Sequence, residues 1–582
     1  MKIYKQQLKA SLWIGLLLCF FTVFGQDDER TIGVQEVTVI KSYTPSLSEV
    51  FKIREQPVVI DSIGREKQKV LYSIFSIPVA STFIPSKGSA KVLQKKKSPP
   101  KYNATVSSGF GNFNNIILDH SAQINLDRRQ QFSWLVHFNA LLKDLPDPIL
   151  STKQSAALVH LGYRYSTNLI NSLSQLSFRS QSQNFHGLDE PIEDGVILSN
   201  LNPKQHINYL SIKSDWQWYS SILKEASITA HLTTDSFSTN ELQLNLKSKF
   251  QISLGSIAIN AEPSLNYLNN KLASDYYTNE TSSFASGVSK INLSVSSRAN
   301  RFKFKAGTAV VYGFGGDFVK KNLFILPLLD VSYKPKKGNL TPFLKVSGEF
   351  NQNSFRSLSS QNPFVAPAIK FKNTEVPYAV ELGTRTKLVS GWEFTMSAYY
   401  QKSNNSPFFR SFGYDNSNEQ FIAFRYGNSF EVIYDELEQF GFNTSVLAAF
   451  KNGGSLSLQA QWRDYSVKDS EAWNMPELQF YFRANIKMFS KIFIQPNIKY
   501  IGARKNSYRE RFLVQNPQNA PLFETDLPSF VDAELKITYQ LTDRWEFYVK
   551  GENIFNAPEF RWANYQIYGT RFLSGFRYNF DL

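Results

Sequence analysis

Glu477-Leu478-Gln479-Phe480-Tyr481-Phe482-Arg483-Ala484-Asn485-Ile486-Lys487-Met488 alternates between two kinds of side chain. Leu478, Phe480, Phe482, Ala484, Ile486 and Met488 share one parity; Glu477, Gln479, Tyr481, Arg483, Asn485 and Lys487 share the other. Side chains alternate across a strand with a period of two, so this is an amphipathic strand and not a helix. Residues 530–541 repeat the pattern, setting Val531, Ala533, Leu535, Ile537 and Tyr539 against Asp532, Glu534, Lys536, Thr538 and Gln540. Residues 301–312 set Phe302, Phe304, Ala306, Thr308 and Val310 against Arg301, Lys303 and Lys305.

The connections between such strands alternate in length. Backward from a last strand at residues 571–580, residues 555–570 form a long loop and residues 541–544 a tight turn. Residues 503–529 are long, Ser490-Lys491 tight, residues 464–476 long and Asn452-Gly453-Gly454 tight. Upstream, residues 351–377, 269–284 and 186–204 are long and residues 313–321 intermediate. Lys336-Lys337-Gly338-Asn339, Ala299-Asn300 and Asp127-Arg128-Arg129-Gln130 are tight. Short turns at one end and long loops at the other characterise outer-membrane barrels, whose long loops face outside the cell. Counting from Tyr102 gives an all-β, transmembrane, antiparallel barrel of about 22 strands, the size of the large transporter barrels. An extra hairpin within residues 406–440 is the chief alternative to that count. A soluble all-β protein is the competing architecture, but it would need more Gly and Pro punctuation than these long strands carry.

Composition agrees. Aromatic residues make up 15% of the chain, charged residues only 19%, and the mean hydropathy is −0.30. Alternating lipid-facing and lumen-facing residues average to such a value. Met1 to Lys9 carries Lys2, Lys5 and Lys9 with no acid, and Leu12 to Phe21 is apolar. The run ends near Gly25, which makes residues 1–25 a secretory signal peptide, too short for a membrane span. Cys19, the one cysteine, falls in its apolar core. The mature chain is thus expected to lack disulfides and any thiol chemistry. The formal charge of +15 falls to +12 without the three signal lysines. Those charges are spread along alternating strands rather than gathered in a stripe, which argues against nucleic acid.

The end of the chain resembles the terminal hairpins of a TonB-dependent receptor barrel. The resemblance rests on Val531-Asp532-Ala533-Glu534-Leu535, Thr542-Asp543-Arg544-Trp545-Glu546-Phe547, Glu552-Asn553-Ile554-Phe555-Asn556, Arg561-Trp562, Tyr565, Gly569, and Arg571 to Tyr578. It implies an outer-membrane location in a Gram-negative bacterium. Phe576, Tyr578, Phe580 and Leu582 match the aromatic signal read by the barrel-assembly machinery, with Phe580-Asp581-Leu582 in place of the usual terminal Phe. That family also carries an N-terminal plug of well over a hundred residues; here only residues 26–101 precede the first strand, so a plug domain of that kind is not expected. Within them Glu36-Val37-Thr38-Val39-Ile40 resembles the box that contacts TonB, or else is an extended run that adds to a sheet edge. Lys95-Lys96-Lys97-Ser98-Pro99-Pro100-Lys101 reads as a linker. The lumen of so wide a barrel must be obstructed by this segment, by folded-in loops or by another protein.

No chemistry of an enzyme stands out. The six histidines, His120, His137, His160, His186, His206 and His231, lie on different strands or loops without metal-ligand spacing. A Ser–His pair involving His137 or His160 would imitate the barrel hydrolases, but no serine is singled out. Asp189-Glu190 and Glu193-Asp194 in one loop offer a cation site or a solvated loop. Arg504, Lys505, Arg509 and Arg511, with Tyr508 and Phe512, mix charge and aromatics where an external ligand or lipopolysaccharide phosphate arrives. No catalytic residue, metal or cofactor is expected. Two functions follow from the resemblance and its missing part. One is a TonB-dependent receptor-like transporter of a bulky solute; the other is a non-transporting barrel, a subunit or anchor of an envelope assembly. Outer-membrane lipid and lipopolysaccharide, the assembly machinery, and TonB or another periplasmic protein are the expected partners.

Overall fold

The computed structural model describes residues 102–188, 195–276, 280–298, 301–316, 322–369, 371–388, 391–413, 421–509, 522–556 and 560–582. Residues 1–25, expected to be a signal peptide, residues 26–101 with Glu36 to Ile40, the acids Asp189 to Asp194, and Arg511 and Phe512 lie outside them.

The chain forms one 22-stranded antiparallel sheet that closes on itself. Its first strand, Ala104–Gly111, pairs with the next, Asn115–Asn125, and with the last, Arg571–Phe580. That closing seam runs from Ala104 opposite Phe580 to Gly111 opposite Leu573. Gly109 faces Gly575 across it, and the Tyr548 hydroxyl donates to the Ser108 carbonyl at 3.3 Å. The strands read from sequence are present with small shifts: Leu478–Met488, Phe530–Gln540 and Phe302–Gly315.

The outward face carries the apolar set. Val106, Leu118, Val136, Val159, Leu176 and Ile212 are exposed on consecutive strands. Left in water, each such side chain forgoes roughly 1.5–3 kcal/mol of burial, so a continuous girdle of them is stable only against lipid. Trp545, Tyr578, Phe576 and Phe580 form an aromatic cluster near the tight turns, with ring centroids 4.5 Å apart for Trp545–Tyr578 and 5.7 Å for Tyr578–Phe580. Such rings suit the membrane interface. Phe576, Tyr578 and Phe580 do share the outer face, while Leu582 lies beyond the end of the strand. The inward face is polar. Lys550 lies 3.0 Å from Glu534 and 2.8 Å from Glu552, and Arg571 lies 2.6 Å from Glu552.

The two ends differ as the connection lengths require. Tight turns are held by their own side chains: Asp127 Oδ1 accepts from Arg129 N at 2.6 Å and Gln130 N at 2.8 Å, and Thr542 Oγ1 accepts from Trp545 N at 3.0 Å. At the other end several expectations need correction. The expected long loop at residues 269–284 is mostly strand, because Ile257–Ser274 and Thr281–Arg298 continue upward as a hairpin. The region 406–440 holds no additional hairpin among its described residues; Trp392–Ser411 and Phe430–Ala449 are long wall strands. Extra hairpins occur instead within the last two long loops, Arg504–Arg509 with Leu522–Leu527 and Phe560–Trp562 with Tyr565–Gln566.

Candidate functional site: the loop cap and the lumen wall beneath it

The long loops pack on one another over the mouth of the barrel. The centre of this cap is a short helix, α1 (Phe355–Gln361). Ser354 starts it: its hydroxyl accepts from Ser357 N, and its own N–H donates to the Ser357 hydroxyl, a reciprocal cap. Glu241 on the wall strand Asn240–Leu254 completes the start, accepting from Phe355 N at 2.6 Å and Arg356 N at 3.1 Å. A carboxylate at a helix N-terminus satisfies orphan amides and meets the positive end of the helix dipole. Asn270 donates to the same carboxylate at 2.8 Å, so its charge is fully engaged. The Tyr209 hydroxyl lies 3.2 Å from that of Ser359, tying the helix to a second wall strand. Phe355 and Leu358, at 0% exposure, form the buried side of α1.

The chain after α1 threads the middle of the cap. Ala366 N donates to the Phe430 carbonyl and Phe430 N to that of Phe364. Phe364 stacks on Tyr565 at 3.5 Å, His186 meets Tyr565 edge-on at 4.8 Å, and Trp562 packs against Phe409 and Phe430. Tyr276 stacks on Phe412 at 3.8 Å and donates to the Gly413 carbonyl. Asn428 donates to the Phe185 and Ala423 carbonyls, and Tyr568 to those of Lys143 and Thr152. Burial holds the His186 imidazole below its ordinary value and pushes the Tyr565 phenol well up.

The residues singled out from sequence separate. Arg504 is not an exposed ligand contact: it is buried and donates to the Arg561 and Phe560 carbonyls at 2.6 and 2.7 Å. Burial and the nearby Arg561 charge push it down to about 10. Lys505 bridges Glu471 and Glu524 at the surface. His137 lies 2.5 Å from Asp119, to which the Ser107 hydroxyl donates at 3.2 Å. The carboxylate sits between serine and imidazole, whereas an activated serine needs the imidazole between. His160 lies 3.3 Å from the Gln175 amide, and His120 packs between Trp134 and Phe580. Among the described residues no group of His, Cys, Asp or Glu gathers as a metal site.

The wall residues of the cap, Tyr209, Glu241, Leu268 and Ile207, carried no motif, yet a signal was present. In Lys204–Trp218 the lower outward positions are Leu210 and Ile212, and the lower inward ones Ser211 and Lys213. Above Leu210 the phase inverts, with Ile207 and Tyr209 buried inward and His206 and Asn208 outward. Ile257–Ser274 does the same: Ile259 and Leu265 face out below, and Leu268 and Leu272 are buried inward above. The inversion marks where the wall leaves lipid and its inner face meets the apolar cap.

At the level of sequence, neither a family model nor a curated protein matches this chain. Solved structures do match in fold. The siderophore receptor PirA from Acinetobacter baumannii superposes with a TM-score of 0.61 at 11% identity, over 84% of this chain and 81% of that one. The FrpB iron transporter from Neisseria meningitidis gives 0.61 at 9% identity, over 83% and 82%. A mutant of the ferric enterobactin receptor PfeA from Pseudomonas aeruginosa gives 0.57 at 9%, over 82% and 80%. The closed 22-stranded sheet, its lipid-facing girdle and these superpositions together make the chain an outer-membrane β-barrel with the fold of the siderophore and iron receptors.

Proposed function

We propose that this protein is a gated receptor barrel that admits a bulky solute across the outer membrane, with TonB engaging Glu36-Val37-Thr38-Val39-Ile40 from the periplasm. The observation that carries this reading is the cap: a wide barrel whose mouth is covered by loops anchored to the wall at a few polar points, chiefly the wall residue Glu241, which holds the start of α1. Energy delivered from the periplasm has a defined set of bonds to break there. Phe576, Tyr578 and Phe580, with Leu582, serve the assembly machinery in this scheme, and residues 26–101 form the periplasmic or lumenal segment behind the signal peptide.

A second reading draws on the same cap. Its aromatic packing, with Phe185, Val365 and Ala366 at 0% exposure, is that of a fixed lid, which favours a non-transporting barrel that anchors an envelope assembly. Single-channel conductance in planar bilayers separates the two. The full chain is expected to be silent, and a variant with residues 353–372 replaced by a short linker is expected to show large steps. Persistent silence, in a variant that still folds, overturns the gated reading in favour of the anchor.

A further inference from the structure

Strand register places Arg179, Tyr209, Thr233, Glu241 and Asn270 side by side around the inner wall, each directly opposite the next. Helix α1 rests on this row. Its Arg356 guanidinium lies over the Tyr209 ring, 5.2 Å from the centroid, and Nη1 is buried without a hydrogen-bond partner. Arg179 is exposed to the lumen beside the same ring. Among the described residues neither arginine is in an ion pair. The one carboxylate of the row, Glu241, is occupied by two helix amides and the Asn270 amide. Thr233, at 0% exposure, has a hydroxyl with no partner, and one level below it His231 Nδ1 is also unpartnered.

Two unpaired guanidinium groups and an unpartnered hydroxyl along one short arc are donors without acceptors. Leaving the buried Arg356 Nη1 and Thr233 hydroxyl without acceptors is costly unless an anion completes the arrangement. We propose that the lumen wall beneath α1 is an oxyanion-binding station, in which a phosphate or carboxylate group is held between Arg179 and Arg356 with Thr233 as a further donor. Guanidinium groups suit such ligands because their planar N–H pairs match two oxygens at once. The inference rests on the gated reading only in naming the source of the anion, a charged group on the solute that passes under the lid; the site itself does not need transport.

The test is calorimetric titration of the purified full-length protein with inorganic phosphate and, in parallel, citrate, against potassium chloride of equal ionic strength. Saturable binding is expected, weakened about 10-fold or more in R179Q and in R356Q, as loss of one charge-assisted bond implies. Among the described residues the Arg179 side chain makes no hydrogen bond or ion pair, so R179Q keeps the test sound if R356Q disturbs α1. K213Q is the control, since Lys213 faces the same lumen but is paired with Asp215 at 2.9 Å. Absence of saturable binding, unchanged binding in R179Q, or an equal loss in K213Q overturns the proposal. Phosphate binding by the full-length protein, together with silence of the variant lacking residues 353–372, would remove the gated reading and leave the station standing; conductance of that variant without phosphate binding by the full-length protein would do the reverse.

Discussion

The two ends of this barrel are built on different principles. At the tight-turn end the described connections are closed largely by their own residues: Asp127 binds the amides of Arg129 and Gln130, and Gly453, at φ 88°, supplies a left-handed step that other residues adopt only with strain. At the long-loop end almost nothing is local. Glu241 holds a helix that begins at residue 355, Tyr565 stacks on Phe364, and Tyr568 bonds Lys143 and Thr152. The first end therefore follows from three or four consecutive residues, and the second only from contacts hundreds of residues apart.

The sharpest way to break the contrast is to cut the cap at its centre. Phe355→Ala should cost about 3–5 kcal/mol of local stability, since the ring is fully enclosed. The outer loops should become protease-sensitive in intact cells while the barrel remains resistant to SDS before heating. Equal protection of the variant and the parent would mean that α1 is not the keystone. Glu241→Gln should follow, at about 1.5–3 kcal/mol, because it removes the charge and puts an NH2 donor in place of one of the two oxygens that accept from the Phe355 and Arg356 amides. Hydrogen exchange of those amides should rise, with no change in the tight turns.

The same contrast explains what could be read in advance. Strands such as Leu478–Met488 announce themselves because lipid on one side and water on the other enforce a strict period of two. Turns such as Asn452-Gly453-Gly454 announce themselves because the backbone there needs particular residues. The hairpin of Ile257–Ser274 and Thr281–Arg298 was hidden, since above the membrane Asn269 and Lys271 point outward and Leu268 and Leu272 inward, and the mixed phases read as loop. Arg504 misled for a related reason. A charged loop residue suggests the surface, but its partners are the Phe560 and Arg561 carbonyls of another loop, which no local pattern reveals.

Smaller effects are expected at the tight turns and at single cap residues. Asp127→Ala should cost about 1 kcal/mol through loss of the turn bonds. Folding yield should fall slightly, while protease protection of the cap stays as in the parent; a loosened cap would show that the ends are coupled. The smallest effect is a pH response. Burial lowers the His186 pKa in the closed cap relative to the ordinary 6.5, so the opened state binds the proton more readily. The contribution of His186 therefore favours the closed cap above that value and weakens it as pH falls below it. Protease protection of the loops should decline modestly on acidification through pH 6.5, and His186→Gln should flatten that slope.

The closing seam bears on how such a molecule comes into being. Ala104–Gly111 finds its second neighbour only when Arg571–Phe580 has been made, at the far end of the chain. Until then both strands present bare hydrogen-bonding edges, the feature most prone to wrong pairing. Contacts this remote in sequence form slowly. With Gly109 and Gly575 abreast, the late-forming join also has no side-chain grip at that level, apart from Tyr548 reaching across to Ser108. The sheet stays open until its last strand is made, so the survival of the new chain depends on how long its two edges are kept apart from other chains and how quickly they are brought to each other.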